Sequence, residues 1–292
     1  KMANGVLLSD MAVGWGKAIR AANTGVELVE TMAHADPEEM AIPGDDNDIF
    51  EVVDTFIIHR AETFLGDADF ADFYRDLRDN HGKTIEFYSV WPSMPYQDTY
   101  SYHRLSSWSA FAEDAAATSW WSFADHGGIV DWKQQYSISD HRSPIYLDPD
   151  TASDGIAMRS IMEGVQDYIY LRMAQDLIDN LVSKGFDMSA AQASLDLAVS
   201  TVLNAPNVTD DLEWDNGVDR SIADAQRQRI LHLLETLPPA IDSEPVNHTV
   251  DAGQHATFVV HAAGHGLTYP WQDWTGAAWA NVVAAGTRAS YT

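Results

Sequence analysis

The sequence predicts an α/β fold, and three features of residues 84–125 lead to that prediction. Two short runs rich in aromatic and β-branched residues, 84–92 and 118–125, each end next to a turn signal and have the composition of strands. Between them, apolar residues recur at helical spacing from Leu105 to Ala117. Both runs are too apolar to leave one face in water, which is typical of parallel strands. We therefore expect a β-α-β unit that binds ligands beyond the carboxyl ends of its strands.

The elements that precede this unit continue the alternation of strands and helices. In chain order we expect a helix, a strand, a polar loop, a second strand and a second helix, over residues 9–23, 26–31, 34–48, 52–59 and 70–80. With the β-α-β unit, these elements repeat at intervals of about 30 residues. The alternation stops near Asp125, although a complete (β/α)8 barrel needs about 250 residues. We therefore expect half of a TIM-type barrel, and its C-terminal half in particular.

Helices replace the strands after residue 150. Apolar residues at helical spacing predict three helices, over residues 153–184, 189–203 and 219–237. Two consecutive prolines, Pro238 and Pro239, then end the last helix, and the residues that follow have the composition of a short linker. We expect these helices to form an extension that packs on the barrel.

The residues after 245 predict β-structure instead. From Thr249 to Ala262 apolar and polar residues alternate, and Tyr269-Pro270-Trp271-Gln272 follows. This pattern resembles the first strands of a bacterial immunoglobulin-like module, in which a Trp lies in the core of the sandwich. Such a sandwich usually takes about 100 residues, so we expect a truncated one. The chain is thereby divided into a barrel half, a helical extension, and a linker with a partial immunoglobulin-like domain, at residues 1–150, 151–240 and 241–292.

The charge and the cysteine content exclude several classes of protein. The chain has 44 acidic and 17 basic residues, a net charge of −27 and no cysteine. The composition therefore disfavours nucleic acid and anionic membrane surfaces as partners, because binding to both depends on clustered Lys and Arg. Disulfides and thiolate chemistry are absent, and no run of about 20 apolar residues predicts membrane insertion. The Asp-rich composition suggests a halophilic protein, which would lose stability on dialysis against low salt.

Three groups of residues resemble a known pattern. They are Tyr102-His103-Arg104-Leu105 with Trp108, the strand 117–125, and a helix that carries Arg159, Glu163-Gly164, Asp167-Tyr168 and Tyr170-Leu171. In this order and spacing they are similar to the C-terminal part of the glycoside hydrolase family 123-like catalytic domain. The resemblance covers roughly residues 5–185.

The resemblance implies a TIM-barrel exo-glycosidase that removes β-linked N-acetylhexosamine, typically N-acetylgalactosamine. In that retaining, substrate-assisted scheme, a Glu protonates the leaving oxygen and an adjacent Asp orients the substrate's acetamido group, which attacks the anomeric carbon. No Asp-Glu dipeptide occurs in this sequence. We therefore expect the pair upstream of Lys1, assign no catalytic residue, and expect these residues alone to be inactive. The implied partners are a carbohydrate substrate and the missing N-terminal half. No cofactor or metal is implied, and the parent is expected to be secreted or at the cell surface.

The residues that could contact a sugar lie near the ends of the predicted strands. Tryptophan rings can stack on a sugar, while hydroxyl and charged groups can bond its hydroxyls. We assign as substrate-binding residues Tyr88, Trp91, Tyr102, Arg104, Trp121 and Asp125. For each ring a place in the core is an equal alternative, and for Arg104 a structural ion pair is favoured. His59 and Arg60 close a strand and could reach the pocket. A surface or capping role is an alternative that the sequence favours at least as much.

An alternative function remains open. The chain could belong to a non-catalytic carbohydrate-binding or adhesion protein on a degenerate barrel, and the sequence upstream of Lys1 would distinguish this protein from the hydrolase.

Two other residue patterns are not assigned to a catalytic or metal site. The residues Arg159, Glu163 and Asp167 share one helix face, which favours docking of that helix over catalysis. His261 and His265 fall on a strand and turn rather than a helix, so a metal site is disfavoured.

Overall fold

The computed structural model describes residues 2–3, 6–32, 49–90, 96–120, 143–148, 150–206, 212–215, 217–264, 266–282 and 289–291. The chain divides into two compact units. The first comprises Lys1–Tyr168 and Val199–Ile222, and the second comprises Ile169–Ala198 and Ala223–Thr292. The three-part division expected from the sequence stays a prediction.

The first unit contains eight strands, four α-helices and two π-helices within the described residues. Strands β1 to β8 span Met2–Ala3, Val6–Leu7, Val29–Met32, Thr55–His59, Thr84–Ser89, Ala117–Trp120, Ile145–Asp148 and Thr151–Asp154. Helices α1 to α4 span Leu8–Ala21, Ile49–Val52, Ala68–His81 and Leu105–Ala112. The π-helices span Arg60–Leu65 and Tyr100–Arg104. Such wide turns often occur at functional sites.

A four-stranded parallel sheet forms the centre of this unit. Its strands lie in the order β3-β4-β5-β6, which is also their order along the chain. The pairs β1-β2 and β7-β8 are separate antiparallel ribbons. The prediction of an α/β fold with consecutive parallel strands is therefore confirmed, whereas closure into a barrel is not established by these four strands.

Buried apolar side chains hold α3 and α4 against this sheet. Phe56, Ile58, Ile85 and Phe87 are each no more than 1% exposed and belong to the same core as Tyr74 of α3. At about 25 cal/mol per Å² of apolar surface, a core of such large side chains dominates the stability of the unit. Helix α3 is further defined by its ends. Asp67 accepts hydrogen bonds from the first turn, and Gly82 adopts a left-handed conformation after the last.

Two predicted elements differ from the structure at their ends. The strand expected over 52–59 begins only at Thr55, because α2 occupies Ile49–Val52, and a short apolar run does not distinguish helix from strand. The helix expected to reach residue 117 ends at Ala112, and two residues later Asp114 has a φ of 47°. A left-handed residue is incompatible with continued helix, so the helical spacing overestimates the length of α4.

The second unit contains most of a long helix, two further helices and six short strands among the residues described. Helices α5 to α7 span Ile156–Ser183, Ser189–Leu203 and Ile222–Thr236, close to the predicted bounds. Strands β9 to β14 span Ala240–Ser243, Phe258–Val259, His261–Ala263, Gln272–Trp274, Trp279–Asn281 and Ser290–Tyr291. They form three antiparallel pairs, β9-β11, β10-β14 and β12-β13.

The alternating stretch from Thr249 to Ala262 forms strands only in its second half. Only β10 and β11 form within it, while Gly253 turns the chain with a φ of 90° and Val250 stays 48% exposed. The in-phase residues Ala256, Phe258 and Val260 are half-buried and alternate with exposed neighbours, so the alternation of burial is present in this second half. The immunoglobulin-like segment is thus not established by the described strands.

Candidate functional site

The two faces of the parallel sheet are unlike. Alternate residues of β5 are buried at Ile85, Phe87 and Ser89 and half-buried at Glu86 and Tyr88. Parallel sheets are normally covered on both faces, as the sequence analysis also expected. We call the buried side the covered face, and the side that carries Glu86 and Tyr88 the open face. The expectation that both faces are buried is therefore wrong for this part of the sheet.

Polar groups gather on the open face towards the carboxyl ends of the strands. In the register of the sheet, Tyr88 lies between His59 of β4 and Ser119 of β6, and Glu86 precedes it on the same face. The rings of His59 and Tyr88 meet edge to face with centroids 5.1 Å apart. We call His59, Glu86, Tyr88 and Ser119 the strand-end site. Its carboxylate and phenol are half-buried and the Ser119 hydroxyl is exposed, which suits a ligand with several hydroxyl groups. The imidazole of His59 is only 1% exposed and packs against the Tyr88 ring.

A π-helix supports the strand ends from the covered face. Its residues Tyr102 and His103 have ring centroids 4.7 Å apart, and His103 meets the ring of Trp120 at 5.3 Å. Trp120 lies opposite Ser89 in the register, which places it on the covered face. The start of the π-helix is fixed by Asp98, which accepts hydrogen bonds from the Tyr100 amide and the Ser101 hydroxyl, at 3.1 and 3.0 Å.

His103 is neutral and forms no hydrogen bond among the residues that the structure describes. It is 2% exposed, and both ring nitrogens lack a hydrogen-bond partner. Burial, helped by the charge of Arg60, lowers its pKa to about 3. A neutral imidazole packs as an aromatic ring at less cost than a charged one, because burial of the ion would be expensive. His103 thus acts as a ring in the layer behind the strand ends.

Arg60 is a buried cation without a carboxylate partner within the described part of the chain. Its guanidinium donates hydrogen bonds to the Ser101 carbonyl at 2.6 Å and to the Ser109 hydroxyl at 3.3 Å. Burial lowers its pKa to about 10, although attraction to Tyr102 opposes this effect. The group therefore remains protonated at neutral pH and holds the π-helix through backbone carbonyls rather than through an ion pair.

Arg104 is also buried but, unlike Arg60, it pairs with two carboxylates. Its Nε lies 2.8 Å from Asp167 Oδ2 and its Nη1 lies 3.0 Å from Glu163 Oε2, both on α5. Asp167 also accepts a hydrogen bond of 2.9 Å from the indole of Trp108. A Cβ atom at Gly164 would stand 2.9 Å from the carbonyl oxygen of Arg104, so α5 approaches the π-helix very closely. These contacts favour the structural alternative for Arg104 and the docking role expected for Glu163 and Asp167.

The structure separates the predicted site residues. Tyr88 lies near the carboxyl end of β5 in the strand-end site, and its role in substrate binding stays a prediction. Tyr102 is 1% exposed and packs with Trp120 and Leu212, which favours its alternative place in the core. The remaining three predictions lie outside the described residues and stay predictions, namely Trp91, Trp121 and Asp125.

Sequence analysis did not select Glu86 and Ser119 as site residues. The available signal was the alternation of side chains along a strand, which places Glu86 on the same face as Tyr88. Ser119 lies beside Tyr88 on the neighbouring strand β6. That pairing depends on the register of the two strands, which a local sequence pattern does not contain.

The described residues contain neither a metal-binding cluster nor a membrane-spanning helix. Within the described ranges, no group of three or more His, Asp or Glu side chains could hold a metal ion. Over the same ranges, none of the helices is sufficiently long and apolar to traverse a lipid bilayer. No family model matches the sequence, and no curated protein matches it.

Proposed function

We propose that this chain contributes part of a carbohydrate site in a glycoside hydrolase of the family 123-like type. The single observation that carries the proposal is the strand-end site on a half-buried face of a parallel sheet. Binding at the carboxyl ends of parallel strands is the rule for α/β folds. A phenol, a carboxylate and an aliphatic hydroxyl near one another can bond the hydroxyls of a sugar while an aromatic edge contacts its carbon atoms.

The order of the strands supports the barrel in this proposal. Successive strands are neighbours throughout β3-β4-β5-β6, as in a (β/α)8 barrel, and the order does not reverse as it does in a doubly wound sheet. The open face would then be the inside of the barrel, and further strands would cover it. The truncated immunoglobulin-like segment and the secreted location belong to the same proposal.

The proposed reaction is removal of a terminal β-linked N-acetylhexosamine with retention, assisted by the substrate's acetamido group. The Asp-Glu pair that this chemistry uses would lie on polypeptide outside these residues, because the sequence contains no such dipeptide. Within the chain, the strand-end site would orient the sugar. Its residues would therefore affect binding even where no turnover occurs.

Binding is tested with two methyl glycosides that differ in one group. We expect saturable binding of methyl N-acetyl-β-galactosaminide in ligand-observed NMR, and weaker binding of methyl β-galactoside, which lacks the acetamido group. Loss of one hydrogen bond in Tyr88→Phe should weaken binding about two- to tenfold. The matched control is Tyr269→Phe in the second unit, which should leave binding unchanged. Absence of saturable binding, or equal effects of both substitutions, would contradict the proposal.

Turnover distinguishes the enzyme from the alternative of a non-catalytic binding protein. The measurement is release of N-acetylgalactosamine from a chromogenic β-glycoside by the longest natural polypeptide that contains this sequence. Release supports the hydrolase. Binding without release supports the adhesion protein.

A further inference from the structure

The second unit contains a cavity that the proposed carbohydrate site does not use. Its volume is about 570 Å³, within the range of roughly 300 to 1,000 Å³ typical of small-molecule sites. Helices α5 and α7 form two of its walls, and β9 with the end of β11 forms the third. Behind them lies a cluster in which Leu177, Leu181 and Ala240 are buried.

Most of the lining is apolar. The side chains that give the cavity this character are Tyr170, Met173, Leu177, Leu231, Leu234 and Ala263. Met173 is 51% exposed, so part of this wall is accessible to a solute. The third wall is set by the β9-β11 pairing, in which Ala263 lies opposite Ala240.

Gly264 allows the chain to turn at the edge of the cavity. Its φ is 143°, and an added Cβ would stand 3.0 Å from Pro239 Cα and 3.1 Å from a methyl group of Leu267. A side chain at this position would therefore be strained and would clash with its neighbours.

The charged groups of the lining all have the same sign. Asp176, Glu235 and Asp242 are present, and no Lys or Arg is among the lining residues. Asp176 is partly neutralised, since Arg172 lies 2.9 Å away on the same helix, and Asp242 accepts a hydrogen bond from Asn180. Glu235 has a weaker neighbour, the imidazole of His232 at 4.0 Å.

We propose that this cavity binds a small organic cation, an amine or quaternary ammonium attached to an apolar body. The apolar walls would bury the body, and the carboxylates would attract the charge. An anionic ligand is opposed by all three carboxylates. A bare metal ion does not fit, because the lining is apolar and no cluster of three possible ligands exists among the described residues.

The test uses three probes with the same body and different charge. Phenylbutylamine, phenylbutanol and phenylbutanoate are titrated into the whole chain while the methionine methyl groups are observed by NMR. We expect the amine to bind about fivefold or more tightly than the alcohol, and the acid to bind most weakly. The signal of Met173 should shift. That of Met162, which is equally exposed on the same helix but outside the cavity, should not shift.

Two matched substitutions test whether Glu235 causes the preference for the amine over the alcohol. In Glu235→Gln, the amine should bind about two- to fivefold more weakly, as expected for one solvated ion pair, while the alcohol is unaffected. In Glu51→Gln, which makes the same change at an exposed position of the first unit, neither affinity should change. Both substitutions are at the surface, so neither should disturb folding.

The possible outcomes each decide the proposal. Preference for the amine, a shift confined to Met173 and an effect confined to Glu235→Gln support it. Equal affinities for the three probes, similar shifts at both methionines, or equal effects of both substitutions would overturn it. The result does not depend on whether the first unit binds a sugar.

Discussion

The covered and open faces of the sheet differ in how their polar side chains are buried and paired. On the covered face, Arg104 is neutralised by Asp167 and Glu163, and Gly164 lets the backbones approach. On the open face, Glu86 and Tyr88 remain half-buried. Buried ion pairs are costly to break, because removal of one partner leaves an unpaired charge. The difference indicates that the covered face maintains the fold, while the side chains of Glu86 and Tyr88 on the open face remain partly accessible.

The two buried arginines on the covered side have different hydrogen-bond partners. Arg104 has carboxylate partners, whereas Arg60 donates to the Ser101 carbonyl and the Ser109 hydroxyl. A cation held only by neutral acceptors leaves a positive potential near the strand ends. Burial keeps His103 neutral, and the charge of Arg60 lowers its pKa further. Charge on this side is therefore arranged to support the strand ends and the π-helix.

The largest expected effect is the loss of the buried acid on α5. Asp167→Asn removes the fully buried one of the two carboxylates that pair with Arg104, and we expect the free energy of unfolding to fall by up to about 3 kcal/mol because Glu163 still pairs with Arg104. Urea unfolding followed by circular dichroism measures this. The control is Asp176→Asn on the same helix, whose ion pair with Arg172 is exposed and worth no more than about 1 kcal/mol. Equal losses would contradict a structural role for the buried pair.

The close approach of α5 predicts a comparable or smaller effect. Gly164→Ala places a methyl group 2.9 Å from a backbone oxygen that cannot rotate away, so we expect a loss of about 1 to 3 kcal/mol. Gly14→Ala in α1 is the matched control, because within the described part of the chain no atom beyond its neighbours and its own helical turn lies within 4 Å of the Cβ position. That substitution should stabilise the protein by up to about 1 kcal/mol through helix propensity. Destabilisation by Gly14→Ala equal to that of Gly164→Ala would refute the packing argument.

The neutral state of His103 predicts a dependence on pH. Its pKa is about 3 in the folded chain and about 6.5 when unfolded, so the unfolded state binds more protons between these values. Stability should therefore fall as the pH decreases below 6.5, by about 2 kcal/mol between pH 7 and pH 5 from this group.

His103→Gln should remove that part of the slope when unfolding is measured at several pH values. His232 is exposed, and His232→Gln serves as the control that should retain the slope of the unsubstituted protein. A slope that is unchanged in His103→Gln would show that His103 does not resist protonation in the folded state.

Local patterns predicted the elements better than the site. Helical spacing located α6 at Ser189–Leu203, and apolar runs located the consecutive parallel strands, because both signals lie within the element itself. The π-helix Tyr100–Arg104 was not predicted. Its geometry depends on Arg60 and on Asp98, which pairs with Arg220 from 122 residues away. Contacts of that range leave no periodic signal in the sequence.

The comparison of the two faces is tested most directly by unfolding with and without sugar. At ten times its dissociation constant, methyl N-acetyl-β-galactosaminide should add about 1.4 kcal/mol to the free energy of unfolding. Gly164→Ala should lower the stability without sugar but keep this increment. Tyr88→Phe should largely keep the stability without sugar, and its increment should fall to about 0.4 kcal/mol if affinity drops tenfold. No increment in the unsubstituted chain, or an increment lost in Gly164→Ala and kept in Tyr88→Phe, would contradict the account.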